Sequence, residues 1–297
     1  MRFTRLDALE TTDHGWHWAL PTWGKTAALG LFSLAALVGY ANRIEPKWIQ
    51  WKRLRLPIAG LPEAFAGYRL VLLSDLHLGG RADVYPAAAL RALVARVNRL
   101  RPDCILFAGD FVTEIEPSVL ERLPLLNDLR APDGVYATLG NHDYWTDARL
   151  VTQALSGLHW LLNDAVLIRR GSAALGLAGV DDIWEKRANL PRALAGLPPD
   201  MPTILMAHEP NFGIVSVGEP RVRLQVSGHT HGGQVRVPFI GPVVLPELSS
   251  LYPMGLYSVQ REAAPLWIYT SRGLGMSDLP LRFACRPEVT LIELARG

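Results

Sequence analysis

Gly228-His229-Thr230-His231-Gly232-Gly233 follows directly on the apolar run Leu224-Gln225-Val226, and two histidines two residues apart, boxed by glycines, suit a bound metal. Alone the stretch proves little. Its weight comes from a pattern repeated along the chain, in which an apolar strand-like run is followed by a small residue and then by a possible ligand. The run at 70–74 leads to Asp75 and His77, the run at 104–109 to Asp110, the run at 135–140 to Asn141, His142 and Asp143, and the run at 203–207 to His208. Five strand ends are thus expected to converge on one place, and α/β sheets gather ligands beyond the carboxyl ends of their strands.

With 297 residues, 49% hydrophobic and 20% charged, the chain can bury a full core, and one large domain with a short appendage is the simplest count. A net charge of +2 gives no concentrated basic face, so nucleic acid is not expected as a partner. Cys104 and Cys285 are too few for a disulfide framework and lack the spacing of a thiolate zinc site.

Residues 26–41 carry no charge. At ~1.5 Å per residue the run falls just short of a ~30 Å hydrocarbon core. Lys25 can snorkel outward, and Trp16, Trp18 and Trp23 on one side with Tyr40, Trp48 and Trp51 on the other resemble two interfacial belts. A transmembrane helix spanning about 24–41 is therefore expected. Asp7, Glu10 and Asp13 ahead of it argue against a cleaved leader. The basic excess of Arg43, Lys47, Lys52, Arg53 and Arg55 after the span predicts a single-pass protein of the cell inner membrane with a cytoplasmic catalytic domain. The division is 1–55, anchor and basic juxtamembrane segment, and 56–297, catalytic domain, with a linker or first edge strand between 41 and 68.

Beyond it, an amphipathic helix is expected at 86–100, with Leu90, Leu93, Val94 and Val97 on one side, and another at 118–129. Strands and helices alternate there as in an α/β fold. From 165 to 294, short runs separated by Gly and Pro turns predict a second sheet, largely antiparallel or mixed.

An Asp-x-His pair on an extended segment offers one hard oxygen and one imidazole to the same side. Asp75 and His77 gain meaning from the inventory, because five of the eight histidines follow strands in the same pattern. Asp110 has two carboxylate oxygens and can bridge two cations ~3.5–4 Å apart. Asn141 offers a neutral amide oxygen, which leaves His142 free to act with Asp143 to orient its other ring nitrogen. His208-Glu209-Pro210 opens like a zinc-protease motif, but position 212 is Phe212 and Pro210 opposes the required helix. Trp145, Trp184 and Phe239 could line a substrate pocket, but single aromatics more often serve packing, and no role is assigned to them.

The five motifs, Asp75/His77, Gly109/Asp110, Gly140 to Asp143, His208 and Gly228 to His231, resemble those of the calcineurin-like metallophosphoesterases in type and order. That resemblance implies a four-layer αββα sandwich with a dinuclear centre at the sheet edge. Asp75, His77, Asp110 and His231 would bind one metal, and Asp110, Asn141, His208 and His229 the other. Nitrogen and oxygen donors without cysteine admit Mn, Fe, Zn or Ni, with Mn the first choice. The implied reaction is attack of a metal-bridged hydroxide on phosphorus, with His142 protonating the leaving alkoxide or stabilising the charged transition state. Gly232-Gly233-Gln234 with Pro238, Ser271-Arg272-Gly273-Leu274-Gly275 and Pro287-Glu288 resemble the membrane-associated bacterial phosphodiesterase branch. The expected substrate is then a membrane-associated amphiphilic phosphoester, with UDP-2,3-diacylglucosamine as the alternative. A catalytically silent, metal-stabilised binding module tethered to the membrane is the alternative from another class.

Overall fold

A computed structural model describes residues 22–262 and 264–297. The chain divides between Val38 and Gly39, and Gly39–Gly297 is the compact unit that carries the site. Nine strands lead through both sheets: β1 (Gln50–Ile58), β2 (Arg69–Leu73), β3 (Cys104–Ala108), β4 (Val135–Thr138), β5 (His159–Trp160), β6 (Asp164–Arg170), β7 (Ala173–Gly179), β8 (Thr203–Met206) and β9 (Val222–Ser227). A short hairpin of β10 (Arg236–Val237) and β11 (Gly241–Pro242) follows, then β12 (Gly255–Val259), β13 (Leu266–Thr270) and β14 (Glu288–Arg296).

One sheet runs β1-β14-β2-β3-β4-β5 and the other β12-β13-β9-β8-β7-β6. Both are mixed. In the first only β14 against β2 is antiparallel; in the second, β6/β7 and β12/β13 are antiparallel around a parallel centre. The second sheet is thus mixed, within the range expected from its turns.

Period-two alternation assigns each strand's faces. Leu70, Leu72, Cys104 and Leu106 pack with Leu175, Leu177, Ile204, Met206, Leu224 and Val226, and this layer lies between the sheets. Val71, Leu73, Ile105 and Phe107 turn the other way, onto Leu90, Leu93, Val94 and Val97 of the helix Ala87–Arg99. On the far side, Leu205 and Ile268 meet Leu190, Ala193, Leu194 and Leu197. The result is a mixed α/β sandwich with helical cover outside each sheet. Pairing is level at the ends that matter: Leu73 faces Phe107, Ala108 faces Thr138 and Met206 faces Val226. Every ligand loop therefore starts from the same rim.

Three expectations change. The helix expected at 118–129 is a short α-helix, Pro117–Arg122, continued as a 3-10 helix, Leu123–Asp128. Pro124, with no N–H to donate, sits at the switch. The body also begins before residue 56, because β1 starts at Gln50 as an edge strand in register with β14 from Gln50↔Glu288 to Ile58↔Arg296. Finally, the span expected at about 24–41 falls in a helix, Thr22–Arg43. Among the described residues, however, no helix is long and apolar enough to cross a membrane. The aromatic belt at Trp16 and Trp18 lies outside the described residues.

The segment ahead of β1 is fastened to the body as well. Glu45 is buried, and its carboxylate accepts the backbone N–H groups of Ala284, at 3.1 Å, and Cys285, at 2.5 Å. Asn42 donates to the Pro280 carbonyl. A chain beginning at Gly39 is expected to unfold within a few degrees of the full chain. One beginning at Leu56 loses most of the β1 ladder and both Glu45 bonds, and should lose on the order of 3 kcal/mol or more. Thermal and urea unfolding of the two truncations checks this.

Candidate metal centre

Strand ends from both sheets deliver the seven expected ligands, and the backbone there is contorted. Asp75, His77, Asp110, His229 and His231 all have φ between 50° and 69°. For residues with a Cβ this left-handed region costs on the order of 1–2 kcal/mol each, so the surroundings must enforce it. The motif glycines explain part of how. A Cβ on Gly140 would lie 2.3 Å from Asp110 Oδ1, and one on Gly228 2.4 Å from Asp75 Oδ2. Only a residue without a side chain lets those carboxylates approach.

The hydrogen bonds behind the histidines decide which nitrogens face inward. His208 Nδ1 is 2.7 Å from the Ala108 carbonyl, which can only accept, so Nδ1 carries the proton. The neutral ring then turns a bare Nε2 towards Asp110 Oδ2, 3.1 Å away. His229 Nε2 likewise donates to the Glu247 carbonyl at 2.8 Å, leaving Nδ1 bare at 3.0 Å from Asn141 Oδ1. His77 is backed by Thr113 Oγ1 at 2.8 Å. Its Nε2 lies 3.4 Å from Asp110 Oδ2 and 3.0 Å from His231 Nε2, which in turn is 3.8 Å from Asp75 Oδ1.

Acceptors thus face acceptors. Among the described residues, buried Asp75 Oδ2 and His208 Nε2 have no hydrogen-bond partner at all. Unpartnered lone pairs inside a protein are costly unless positive charge lies among them. Three groups bring donor atoms within 4.8 Å of one another, Asp75/His77/His231, Asp110/His208/His229 and His77/Asp110/His142, and the first two, which share no residue, could each hold one ion. Asp110 Oδ2 stands between them, while its Oδ1 accepts the His142 backbone N–H at 3.0 Å. The donor set fits two divalent cations, which these residues would hold with Asp110 within reach of both groups.

Electrostatics agree. Burial works against charge on His208, but Asp110 beside it outweighs burial and holds the imidazole well above its ordinary range. Burial would raise Asp110, yet His208 and His77 draw it well below. Without a cation that charge is a proton on His208 Nε2, and a bound metal would take its place and leave the ring neutral. His229, by contrast, is pushed down to about 4 by burial and then by His208. His231 falls well below its usual value through burial, His77 and Arg282. Both stay neutral imidazoles, the form a metal requires.

Asp143 does not do what its place beside His142 suggested. It is fully buried, and its oxygens accept backbone N–H groups from Asp110 at 3.0 Å, Phe111 at 2.8 Å, Val112 at 3.2 Å and Gly140 at 3.0 Å. Its carboxylate ties the Asp110 loop to the Asn141 loop. His142 lies at the rim, with its ring 4.7 Å from that of His77 and 4.8 Å from that of Trp145. Of the three aromatics weighed as pocket residues, Trp145 and Trp184 line the same cavity as Asp110, Asn141, His142, His229 and His231, whereas Phe239 is fully exposed at the tip of the β10–β11 hairpin. Sequence alone could not separate them, because the turn that brings Trp184 over the site is set by tertiary contacts.

Asp143→Asn would replace one acceptor oxygen by an NH₂ facing N–H donors. About 2–4 kcal/mol of stability should be lost, together with metal affinity. Had Asp143 served only to orient His142, the same change would lower the rate and leave urea unfolding unaltered; the two measurements made together separate the roles.

A family model described as calcineurin-like phosphoesterase matches residues 68–233. The chain is 32% identical over 279 residues to the uncharacterized metallophosphoesterase YkuE of Bacillus subtilis, covering 90% of this chain and 93% of that protein. It is 32% identical over 262 residues to the phosphodiesterase YaeI of Escherichia coli, covering 86% and 92%. Over 329 aligned residues it is 28% identical to the UDP-2,3-diacylglucosamine pyrophosphatase LpxG of Chlamydia trachomatis, covering 91% and 97%. With the donor geometry above, these matches place the chain in the calcineurin-like phosphoesterase family, as a metal-dependent phosphoester hydrolase.

Proposed function

We propose that the protein is a phosphodiesterase acting on an amphiphilic phosphoester at a membrane surface. The observation that carries this reading is a cavity of about 540 Å³ with a lining of two kinds. Asp110, Asn141, His142, His229 and His231 of the candidate metal centre share it with Val235, Val243, Val244, Pro246, Leu279 and Leu281, alongside Gln234, Ser277 and Asp278. A phosphate head joined to an apolar body matches that division, since apolar walls gain affinity only from apolar occupants. The uncharged run at 26–41 supports delivery to a membrane.

Held by Asp75, His77, Asp110, Asn141, His208, His229 and His231, two divalent ions, manganese in our reading, would neutralise the phosphoryl oxygens and acidify a water towards neutral pH. The protein's own groups do the rest. Asp110 Oδ2 faces both donor sets and fixes their spacing. Burial lowers the pKa of His142, against the pull of Asp110, and cations nearby would act in the same direction. His142 therefore stands neutral near pH 7, and we assign its ring N–H a hydrogen bond to the charge developing on the ester oxygen rather than a stored proton.

A second reading is favoured by the similarity to the UDP-2,3-diacylglucosamine pyrophosphatase, whose named substrate carries both a pyrophosphate and acyl chains. The silent binding module loses its support, because the relatives include a phosphodiesterase and a pyrophosphatase.

Manganese-loaded protein is expected to hydrolyse a diacylated phosphodiester in mixed micelles with a higher kcat/KM than a water-soluble dialkyl phosphate. Release of a nucleoside monophosphate from UDP-diacylglucosamine would favour the second reading, and cleavage of soluble esters alone would end both. His142→Ala should lower kcat about 10²–10³-fold while two metals per chain remain by elemental analysis. If metal content fell with the rate, His142 would be a ligand instead.

A further inference from the structure

Glu209 follows the ligand His208, yet its fully buried carboxylate bonds to a turn rather than joining the metal donors. Its Oε1 accepts the Trp184 backbone N–H at 3.0 Å, and its Oε2 accepts that of Ile183 at 3.3 Å. The turn at 181–187 is fastened at its other end to the helix Asn141–Thr146, which begins with the ligand Asn141. Tyr144 Oη donates to Asp181 Oδ1 at 2.6 Å, and Trp145 Nε1 donates to Glu185 Oε1 at 3.0 Å. Arg187 pairs with Asp181 at 3.2 Å and lies over the Tyr144 ring at 4.8 Å. The turn is thus a strap between the loop after β8 and the loop after β4.

That strap sets two indoles edge to face, 5.6 Å apart. Trp184 is 5.7 Å from the His229 ring and Trp145 is 4.8 Å from the His142 ring, so the pair spans the mouth of the metal centre. Trp145 remains 53% exposed although its indole N–H is already satisfied, so part of a rigid apolar ring stays open beside the cavity. Burying a carboxylate costs several kcal/mol. Two turn amides at a surface could be met by water instead, so the cost makes sense where the place of Trp184 matters.

We propose that Trp184 and Trp145 form the subsite for the organic group esterified to phosphorus, and that Glu209 is the positioning residue that fixes Trp184 within it. The assignment rests on the reading that this group enters the cavity alongside the phosphate. Neither hydrolysis nor a lipid is needed to test it. Binding of phenylphosphonate and methylphosphonate to the manganese-loaded full chain is compared by calorimetry. The unaltered protein should prefer the phenyl ligand. Trp184→Ala and Trp145→Ala should each reduce that preference about fivefold and leave methylphosphonate unchanged, and Trp184→Phe should keep most of it.

Glu209→Gln turns one acceptor into a donor facing an N–H. It should reduce the phenyl preference by a similar factor, with no further loss when combined with Trp184→Ala. If Glu209→Gln weakened both ligands equally or lowered manganese stoichiometry, it would be a support of His208 and the positioning role would be overturned. If Trp184→Ala left the phenyl preference intact, the subsite would be overturned while the amphiphile reading could still be tested on lipids. Failure on lipids with the preference lost in Trp184→Ala would leave the subsite standing.

Discussion

Everything about this fold answers to one constraint, that Asp110 Oδ2 lies buried between the inward nitrogens of His77, at 3.4 Å, and His208, at 3.1 Å. A carboxylate among lone pairs is unstable in a protein interior without positive charge in reach. The surrounding chain is arranged to keep the oxygen there. The Ala108 carbonyl turns the His208 ring, the Glu247 carbonyl turns the His229 ring, and Asp143 clamps the two loops that bracket Asp110 with four amide bonds. Of the five left-handed ligand residues, Asp110 and His229 are held directly by these bonds.

Two sheets are needed to build such a site. β2, β3 and β4 end at one rim and supply Asp75, His77, Asp110 and Asn141, while β8 and β9 bring His208, His229 and His231 from the other sheet. The apolar layer between the sheets sets their spacing. At the rim, polar bonds take over that function: Asp75 Oδ1 accepts the His229 N–H at 2.7 Å, and His208 Nδ1 donates to the Ala108 carbonyl at 2.7 Å. Stability of the core and geometry of the centre are therefore coupled through a few bonds at strand ends.

The residues that converge were legible because each lies immediately after its own strand, so a local pattern reports a global meeting point. Asp110 and the five strand-end histidines could be placed that way. Asp143 could not, since three of its four partners are amides about thirty residues upstream, and adjacency to His142 pointed elsewhere. Glu209 was hidden inside a string resembling a zinc-protease motif, and Trp184 depends on that distant carboxylate. An edge strand was expected between 41 and 68, but its start at Gln50 was obscured by Lys52, Arg53 and Arg55, which hydropathy assigns to a membrane flank although they lie within β1. A run of uncharged residues likewise announced a helix at 22–43 without settling what surrounds it.

The claim on which the account turns is that one oxygen of Asp110 serves two cations. Calorimetric titration of metal-free protein with manganese tests it directly, in the unaltered chain and in Asp110→Asn. Two equivalents are predicted to bind to the unaltered protein, and both sites are predicted to weaken together in the variant. Loss of one site with the other unchanged, or a single equivalent in the unaltered chain, would contradict a shared carboxylate.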